Sequence, residues 1–589
     1  MKKILSLGLT LNLVLATTVW AKNLSTKSEE LRQKLVAEEL AKYDKKALSF
    51  DASALPENDQ IFLQYMLKVA NLIEELNMLQ INENNLQFSA EVEKDGTEND
   101  KELFHRNQSP WCLEDNDFLC NALSSLPRRR MGENFWPQKM NEKILAEIGK
   151  GRDADKLLSP FTYVRTGKLR RFKAIPFSQF PLLKEQLKQL AEYLRESIPY
   201  ADDLSLKRFL RTRAMAFESK SAYPYDTSDY DWISLKGKWE ITIGPYETYK
   251  ELMKQKAQFE MYVGLENKKI TEQLEEYKRY LQDFENDLAE FIGSDLYRPR
   301  KLNRGIVVRA IDVVYASGDA RSPHGAVVAY HLPNRGRTIE EGFCKKVFLL
   351  NHMQLFEELM QKRANALLIP SQAVLINSKY DVMNTVFHEF MHGFGTYEEM
   401  EINDVFGNRT TVGKALGAEE TLMEELKADV GSLWLIPSLV KRDLISTDDI
   451  NKRYAASVIH LFGLLQYSLK GTYPQMAGIE IGNLIEHGAL SYNKTSNQFT
   501  IHFDKFPNAV NTLMKRIVTI QLTGDRSGAV SLRDQYLEKM DNDNFKPKEI
   551  LAAPLAGLQK LFKKDGLKGF VVDYKITIPN FQSGAKSSE

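Results

Sequence analysis

The sequence predicts an α+β protein that is predominantly helical and is divided into two or more lobes. Most of the chain carries apolar residues at helical spacing, whereas a smaller part is rich in β-branched and aromatic residues. A chain of 589 residues is also too long for one hydrophobic core, so more than one lobe or domain is expected.

The composition is that of a soluble globular protein with no bias towards either charge. Apolar residues make up 43% of the chain and charged residues 27%. Lys+Arg and Asp+Glu both number 79, so the formal net charge is near zero. This balance gives no indication of nucleic acid or an anionic membrane as a partner.

Helical periodicity is found along the whole chain and dominates its second half. Two polar stretches lack this periodicity. Residues 82–106 are predicted to form an irregular surface segment (a surface excursion), and residues 219–232 are predicted to form a loop with polar contacts rather than part of the core. The predicted helical segments are 28–48, 57–79, 181–198, 266–292, most of 354–435, 451–469, 477–488 and 507–522.

Strands are predicted where apolar and polar residues alternate or where β-branched residues cluster. Residues 239–243 alternate before a turn at Gly244-Pro245, and the same alternation recurs near the C-terminus. The other β-rich or short apolar segments are 305–316, 325–332, 347–350 and 572–578.

The most informative motif is H-E-x-x-H, formed by His388, Glu389 and His392. On a helix, a spacing of four residues places both imidazoles on one face, one turn apart. In this pattern the two histidines hold a zinc ion and the glutamate acts on a water molecule. Ser378 with Asp381 predicts a capping box at the start of this helix.

A third zinc ligand is expected from the acidic helical stretch that follows. Glu425 and Asp429 are four residues apart, so Glu425 can ligate while Asp429 orients a histidine through its other ring nitrogen. The adjacent Glu424 is a second candidate for such an orienting role. The alternative interpretation is an ordinary acidic helix face beside a chance pair of histidines.

The first residues resemble an export signal. Lys2 and Lys3 precede an apolar run over residues 4–18, and small residues flank a cleavage point after Ala21. This pattern predicts a secretory signal peptide at residues 1–21 and a soluble protein that is periplasmic or secreted. An uncleaved membrane anchor is the alternative, although the run is short for a membrane span.

Export to an oxidising compartment would allow Cys112 and Cys120 to form a disulfide that closes a small loop. Two free thiols are the alternative, and Cys344 would remain unpaired in either case.

Several motifs occur together in the order seen in one peptidase family. The sequence resembles the dipeptidyl peptidase III family over about residues 239–541, and in particular its branch with a five-residue zinc motif, which includes bacterial proteins and plant Nudix-fused relatives. The motifs that carry this resemblance are Gly244-Pro245-Tyr246-Glu247-Thr248-Tyr249, Glu260, Leu332-Pro333-Asn334, His388-Glu389-x-x-His392 and Glu424-Glu425-Leu426-Lys427-Ala428-Asp429.

The resemblance implies two lobes separated by a wide cleft. One lobe is helical and carries one zinc ion, and the other is mixed, with a β-barrel-like core. The implied mixed lobe comprises residues 22–267, 301–354 and 546–589, and the implied helical catalytic lobe comprises residues 268–300 and 355–545.

The resemblance also implies roles for individual residues. His388, His392 and Glu425 resemble the zinc ligands, Glu389 resembles the general base, and Tyr249 resembles the tyrosine that stabilises the reacting carbonyl. The alternative for Tyr249 is an ordinary packed or surface tyrosine.

Glu247 and Asn334 resemble the groups that bind a free amino terminus, with Glu260 nearby. The implied protein is therefore a monomeric zinc metallopeptidase that releases dipeptides from short peptides, with no membrane contact after signal cleavage.

Two departures from the family pattern leave other functions open. His331 stands where the family has an asparagine of the amine-binding motif, and Tyr473 stands where it has a histidine that acts at the transition state. His460 and His487 are the other candidates for that histidine. A zinc hydrolase of another amide or ester and a zinc-containing peptide-binding protein without turnover therefore remain alternatives.

Overall fold

The structure is a computed structural model of the chain. The predicted signal peptide at residues 1–21 lies outside the residues that it describes. Those residues are 27–112, 119–124, 126, 128–167, 171–302, 305–323, 325–466, 468–540, 544–565 and 568–579.

The amino-terminal part is helical where helices are predicted, and also in one stretch predicted otherwise. Most of residues 82–106 lie at the surface as predicted, but they form two helices, so the expectation of an irregular excursion is wrong. Thr97 and Asp100 make a capping box for the second of them, and Val92 and Phe104 pack into a small apolar cluster. The helices of this part are 27–40 (α1), Glu57–Ile81 (α2), Asn85–Asp95 (α3), Glu98–Asn107 (α4), Glu142–Gly149 (α5), Ala154–Leu158 (α6), Lys184–Ser197 (α7), Leu204–Glu218 (α8) and Asp226–Ile233 (α9).

Helices dominate the rest of the chain as predicted. The expected single helix over residues 266–292 is interrupted, because Tyr280 (φ −97°, ψ 2°) leaves helical geometry and starts a second helix. The helices of this part are Lys268–Lys278 (α10), Leu281–Ile292 (α11), Arg337–Glu340 (α12), Leu350–Leu367 (α13), Pro370–Ala373 (α14), Ser378–Met391 (α15), Val412–Leu416 (α16), Glu420–Trp434 (α17), Ile436–Lys441 (α18), Ile450–Leu464 (α19), Thr472–Glu486 (α20), Phe506–Leu522 (α21), Arg526–Tyr536 (α22) and Glu549–Asp565 (α23).

The strands form one large sheet and several small two-stranded ones. The large sheet has the order β4-β5-β6-β8-β7, with β6 and β8 parallel and its other pairs antiparallel. The strands are Tyr43–Asp51 (β1), Thr162–Thr166 (β2), Phe172–Pro176 (β3), Trp239–Pro245 (β4), Phe259–Glu266 (β5), Ile306–Gly318 (β6), Ala329–Leu332 (β7), Cys344–Leu349 (β8), Glu401–Asn403 (β9), Arg409–Thr411 (β10), Leu490–Asn493 (β11), Gln498–Ile501 (β12), Leu537–Lys539 (β13), Phe545–Pro547 (β14) and Gly569–Thr577 (β15).

The large sheet is open. Its edge strands, β4 and β7, do not pair with each other among the described strands, so the barrel-like core implied by the resemblance takes the form of an open sheet.

The α+β class with a predominance of helices is confirmed. In the part of the chain that the structure describes, no helix has both the length and the apolar character of a membrane span.

The predicted helix over residues 28–48 is too long, because the observed helix ends at residue 40. Residues 43–51 form β1, which pairs in parallel with β15 from the far end of the chain. The pairing joins residues more than 500 positions apart, so no local pattern could indicate it. The loop predicted over residues 219–232 is also wrong in part, because Asp226–Ile233 is helical.

Two large hydrophobic cores meet at the sheet. One is built mainly by the helices from α10 onwards, and the other by α2, α7, α8 and the strands β4 to β6. Alternate residues of β8 point to opposite sides: Phe348 belongs to the first core, whereas Val347 and Leu349 belong to the second. The helix α23 packs on the first core, although the resemblance assigns it to the mixed lobe. The lobe boundaries themselves stay a prediction.

Candidate active site

The two histidines and the third predicted ligand lie on two packed helices, α15 and α17. His388 Nε2 is 3.3 Å from Glu425 Oε2, and His392 Nε2 is 3.9 Å from the same oxygen. The candidate ligand atoms of the three residues all lie within 4.8 Å of one another. The structure therefore brings the predicted triad together.

Each imidazole of the triad is held from behind by a carboxylate of α17. His388 Nδ1 is 3.2 Å from Asp429 Oδ1, and His392 Nδ1 is 3.0 Å from Glu424 Oε1. These contacts leave both Nε2 atoms facing Glu425. The Nζ of Lys427 is buried and lies 2.9 Å from Glu424 Oε1, which fixes that carboxylate in turn.

The start of α15 differs from the prediction. The capping residue is Asn377, whose side chain accepts a hydrogen bond from the Lys379 N–H. Ser378 instead donates to Glu357, at 2.9 Å. The predicted capping box of Ser378 with Asp381 is therefore wrong, because Ser378 is already the first residue of the helix.

The donor set fits a zinc ion. Two imidazole nitrogens and one carboxylate oxygen are the ligands of many catalytic zinc sites, in which a further position is left for water or substrate. Carboxylates behind the histidines are the usual supporting groups of such sites. Asp429 and Glu424 occupy these supporting positions for His388 and His392.

The carboxylate of Glu389 forms an ion pair with a lysine from the large sheet. Its Oε2 lies 2.9 Å from Nζ of Lys346, a residue of β8 that is 2% exposed. Burial alone would raise the pKa of Glu389, but the charges of Lys346, His388 and His392 outweigh it and hold the pKa well below its usual range. The site therefore keeps Glu389 ionised.

Lys346 was missed in the sequence because two consecutive lysines usually indicate a solvated surface. In β8 the neighbouring Lys345 points to the other side of the sheet, where its Nζ is 3.1 Å from Glu240 and completely buried. The two lysines therefore have different partners, Glu389 for Lys346 and Glu240 for Lys345, and only the position of β8 in the tertiary structure determines which is which.

Two tyrosines approach the triad from different elements. Tyr249 follows β4 and is largely exposed, and its pKa is raised by partial burial and by the negative charges of Glu247 and Glu425. Tyr473, in the first turn of α20, lies near Glu425, and burial followed by the negative charge of Glu425 raises its pKa. The charges of Glu425 and Glu389 act on both tyrosines, so both hydroxyl groups lie near the triad.

A second cluster of acids lies on the sheet side of Tyr249. Asn334 Nδ2 donates to Glu247 Oε2 at 3.1 Å, and the buried Glu260 lies next to them on β5. Asp319, which was not predicted, completes the cluster and is 3.0 Å from Lys250 Nζ. Burial and the charge of Asp319 raise the pKa of Glu247 to about 7.

Comparisons with known proteins bear on the family and the fold. Residues 175–287 match the model of Peptidase family M49. The structure of DPP III from Caldithrix abyssi has a TM-score of 0.80 at 24% identity, covering 91% of this chain and 98% of that one. Dipeptidyl-peptidase III from Corallococcus sp. strain EGB has a TM-score of 0.74 at 26% identity, covering 92% of this chain and 96% of that one.

The resemblance to the dipeptidyl peptidase III family is confirmed. The chain is also similar to Nudix hydrolase 3 from Arabidopsis thaliana, with 27% identity over 562 residues, covering 86% of this chain and 71% of that protein. This relative agrees with the expected similarity to Nudix-fused plant proteins. Together the matches support a metallopeptidase with the two-lobed dipeptidyl peptidase III fold.

Within the dipeptidyl peptidase III fold, His331 lies beside the centre. On β7 it is paired in register with Lys346 of β8. Burial and the charge of Lys346 lower the pKa of His331 to about 3, so the imidazole is neutral at physiological pH. Its Nε2 is buried without a hydrogen-bond partner among the described residues.

The placement of Tyr473 at the position of the family's transition-state histidine stays a prediction. Of the three candidates named from the sequence, Tyr473 feels the charge of Glu425, which raises its pKa after burial, and His460 feels the charges of Asp429 and His388. His460 pairs with Asp381 at 3.2 Å, and His487 Nδ1 is 3.0 Å from the Asn483 carbonyl oxygen.

Proposed function

We propose that this protein is an exported zinc-dependent dipeptidyl peptidase that removes dipeptides from the free amino terminus of short peptides. The observation that carries this proposal is the pairing of two sites. A triad with a neighbouring ionised glutamate lies on the helices, an acidic pocket lies on the sheet, and Tyr249 lies between them. In such an arrangement the acidic pocket can bind the positively charged amino terminus of a peptide substrate while the triad acts on a peptide bond at a fixed distance from it.

The triad would supply the electrophilic part of the reaction. A zinc ion held by His388, His392 and Glu425 would polarise the scissile carbonyl and lower the pKa of a water molecule.

Side chains of this chain perform the proton transfers. Glu389 accepts a proton from the attacking water and later passes it to the leaving amine. Lys346, 2.9 Å away, holds the Glu389 carboxylate in one orientation. The hydroxyl of Tyr249 donates a hydrogen bond to the oxyanion of the tetrahedral intermediate.

The acidic pocket would set the specificity. Glu247 and Asn334 present a carboxylate and an amide oxygen to the substrate's α-ammonium group, and the buried Glu260 adds negative potential behind them. Because the pocket is fixed on the sheet, it places the second peptide bond of the substrate at the triad.

Export is supported by two features. The pattern of residues 1–21 is that of a signal peptide, and Cys112 and Cys120 form a disulfide, which is typical of oxidising compartments. N-terminal sequencing of the protein from a secreting host tests this part: a mature chain that starts at Lys22 supports export, and an intact N-terminus in the cytoplasm contradicts it. We also expect a monomer, which light scattering measures.

The central test is product analysis by mass spectrometry on paired peptides that differ only in acetylation of the amino terminus. The zinc-loaded protein should release dipeptides from the free peptides and leave the acetylated ones intact. A chelator should abolish the reaction, and added zinc should restore it.

Glu247→Gln is the specific variant for this test. Loss of one charge-assisted bond to the ammonium group should lower kcat/KM for free peptides by about 10- to 100-fold. Glu420→Gln, a half-buried acid of α17 outside the pocket, serves as the matched control and should behave as the wild type. Equal cleavage of free and acetylated peptides would exclude dipeptide release, and hydrolysis of esters or other amides alone would exclude a peptidase.

A further inference from the structure

The segment that carries Tyr249 contains a buried carboxylate with no role so far. Residues 246–258 form an irregular connection between β4 and β5, and Glu251 lies in it, two positions after Tyr249. Tyr249 is largely exposed, whereas Glu251 is completely buried. The same short stretch therefore turns one side chain outwards and the other into the protein.

Four N–H groups converge on the carboxylate of Glu251. Its Oε1 accepts from the Met253 N–H at 3.0 Å and from the indole Nε1–H of Trp136 at 3.2 Å. Its Oε2 accepts from the N–H groups of Gln255 and Lys256, at 2.7 and 3.2 Å. Three of these donors are backbone groups of the connection itself, so Glu251 supplies bonds that a helix or strand would otherwise provide. A charged acceptor makes these bonds stronger than a neutral one would.

The two ends of the connection are fixed by other groups. Arg335 donates to the Tyr246 carbonyl oxygen at 2.9 Å and to Thr248 Oγ1 at 3.3 Å. At the far end, Lys256 is completely buried, and its Nζ donates to two backbone carbonyl oxygens of the segment before β2, at 2.6 and 2.7 Å. Glu247 lies between the two residues that Arg335 binds, so its position does not depend on Glu251.

The middle of the connection holds Tyr249 through its backbone. Lys254 Nζ donates to the Tyr249 carbonyl oxygen, and the Lys254 N–H donates to the Glu251 carbonyl oxygen at 3.0 Å. Tyr249 is thus joined to a turn whose other N–H groups are bound by the Glu251 carboxylate. Loss of that carboxylate would loosen the turn and, with it, the place of the tyrosine.

We propose that Glu251 is a positioning residue for the hydroxyl group of Tyr249. Its carboxylate holds the turn of residues 251–256 in one conformation, and the turn holds the Tyr249 backbone through Lys254. The hydroxyl is then in place before the oxyanion forms, so the reaction does not have to reorganise it. This inference rests on the proposed function, which gives Tyr249 its role.

The test compares kcat and KM for tetra-alanine between Glu251→Gln and the wild type. The glutamine keeps the length of the side chain but turns an NH₂ group towards N–H donors, so part of the cradle is lost. A displacement of about 1 Å at a catalytic group can cost about 100-fold in rate. Because Lys250, next to Tyr249, keeps its ion pair with Asp319 at 3.0 Å, we expect a smaller fall in kcat, by about 10-fold. KM should stay unchanged, since Glu247 has its own supports.

Two further measurements separate positioning from general damage. In a Tyr249→Phe background, which lacks the hydroxyl, Glu251→Gln should cause no further loss of kcat. Trypsin gives a readout without catalysis: the variant should be cut after Lys250 or Lys254 faster than the wild type, because the turn is loosened. If Glu251→Gln does not fold, Glu251→Asp repeats the comparison, since it keeps the charge and can accept from the Met253 N–H.

Asp59 provides the matched control. It lies on α2, is 4% exposed and, like Glu251, accepts an indole N–H, here from Trp239 Nε1 at 3.1 Å. Trp239 is the first residue of β4, at the opposite end of that strand from the Tyr249 connection. Asp59→Asn should therefore lower stability but leave kcat and tryptic cleavage of the connection unchanged.

The inference is overturned by an unchanged kcat in Glu251→Gln, by an equal loss in Asp59→Asn, or by an additive loss in the double variant. If Tyr249→Phe keeps the wild-type kcat, or if the wild type releases no dipeptides, the proposed function fails together with this inference. A large loss in Tyr249→Phe with none in Glu251→Gln defeats this inference alone and leaves the proposed function standing.

Discussion

The third ligand gives the sharpest prediction for the metal centre, and Glu425→Ala is its test. Glu425 Oε2 lies 3.3 Å and 3.9 Å from the Nε2 atoms of His388 and His392, so removing this carboxylate leaves two ligands of three. The histidines keep their supporting contacts to Asp429 and Glu424, which do not involve Glu425. The change should therefore act on metal affinity rather than on the fold.

The expected magnitude follows from the number of ligands. Zinc sites with four protein ligands bind with about 10–16 kcal/mol in total, which is about 3 kcal/mol for each ligand. At 1.36 kcal/mol for each tenfold change, Glu425→Ala should weaken zinc binding by about 100-fold.

Glu420→Ala is the matched control for this measurement. Glu420 lies at the start of the same helix, and burial followed by the charge of Glu424 raises its pKa to about 6, yet it makes no contact with the triad atoms. Zinc content after dialysis, and dissociation constants from dye competition, compare the two variants. Equal zinc retention in Glu425→Ala and Glu420→Ala would refute the assignment and require a ligand elsewhere.

Three further predictions concern the base, the pH dependence of stability and the disulfide. Glu389→Gln should keep zinc but lower kcat by about 10²- to 10⁴-fold, and unchanged peptide hydrolysis in this variant would remove Glu389 from the mechanism. His352, held neutral between Val327 and Tyr574, has its pKa lowered by burial from 6.5 to about 4. The unfolded chain therefore binds a proton that the folded protein does not between pH 6.5 and pH 4, so stability is full above this window and falls by up to about 3 kcal/mol through it. Urea unfolding at several pH values should show a smaller acid loss in His352→Gln, and an unchanged slope would contradict this origin. Reduction of the Cys112–Cys120 disulfide, which spans 8 positions, should lower the free energy of unfolding by about 2.5 kcal/mol, and a double serine variant should be insensitive to reductant.

Much of the metal centre could be predicted because it depends on spacing within single helices. A separation of four residues places His388 above His392, and Glu425 above Asp429, whatever the rest of the chain does. The predominance of helices was predictable for the same reason, since apolar periodicity is a local property. The wrong predictions lie where local pattern and tertiary contact disagree, as in residues 43–48, which pair with the C-terminal strand.

The partners of these residues depended on tertiary structure. Lys346 reaches Glu389 only because β8 lies between two hydrophobic cores and presents alternate side chains to each. The charge of Asp319, which follows β6, acts on Glu247, which follows β4, because β5 pairs with both of these strands.

The sequence by itself determined which residues could hold a metal and which could act as the base, because covalent geometry sets spacing along a helix. Only the tertiary structure determined what holds those residues in place and how they are charged. The physical reason is that burial and neighbouring charges, which set orientation and pKa, come from elements that are distant along the chain.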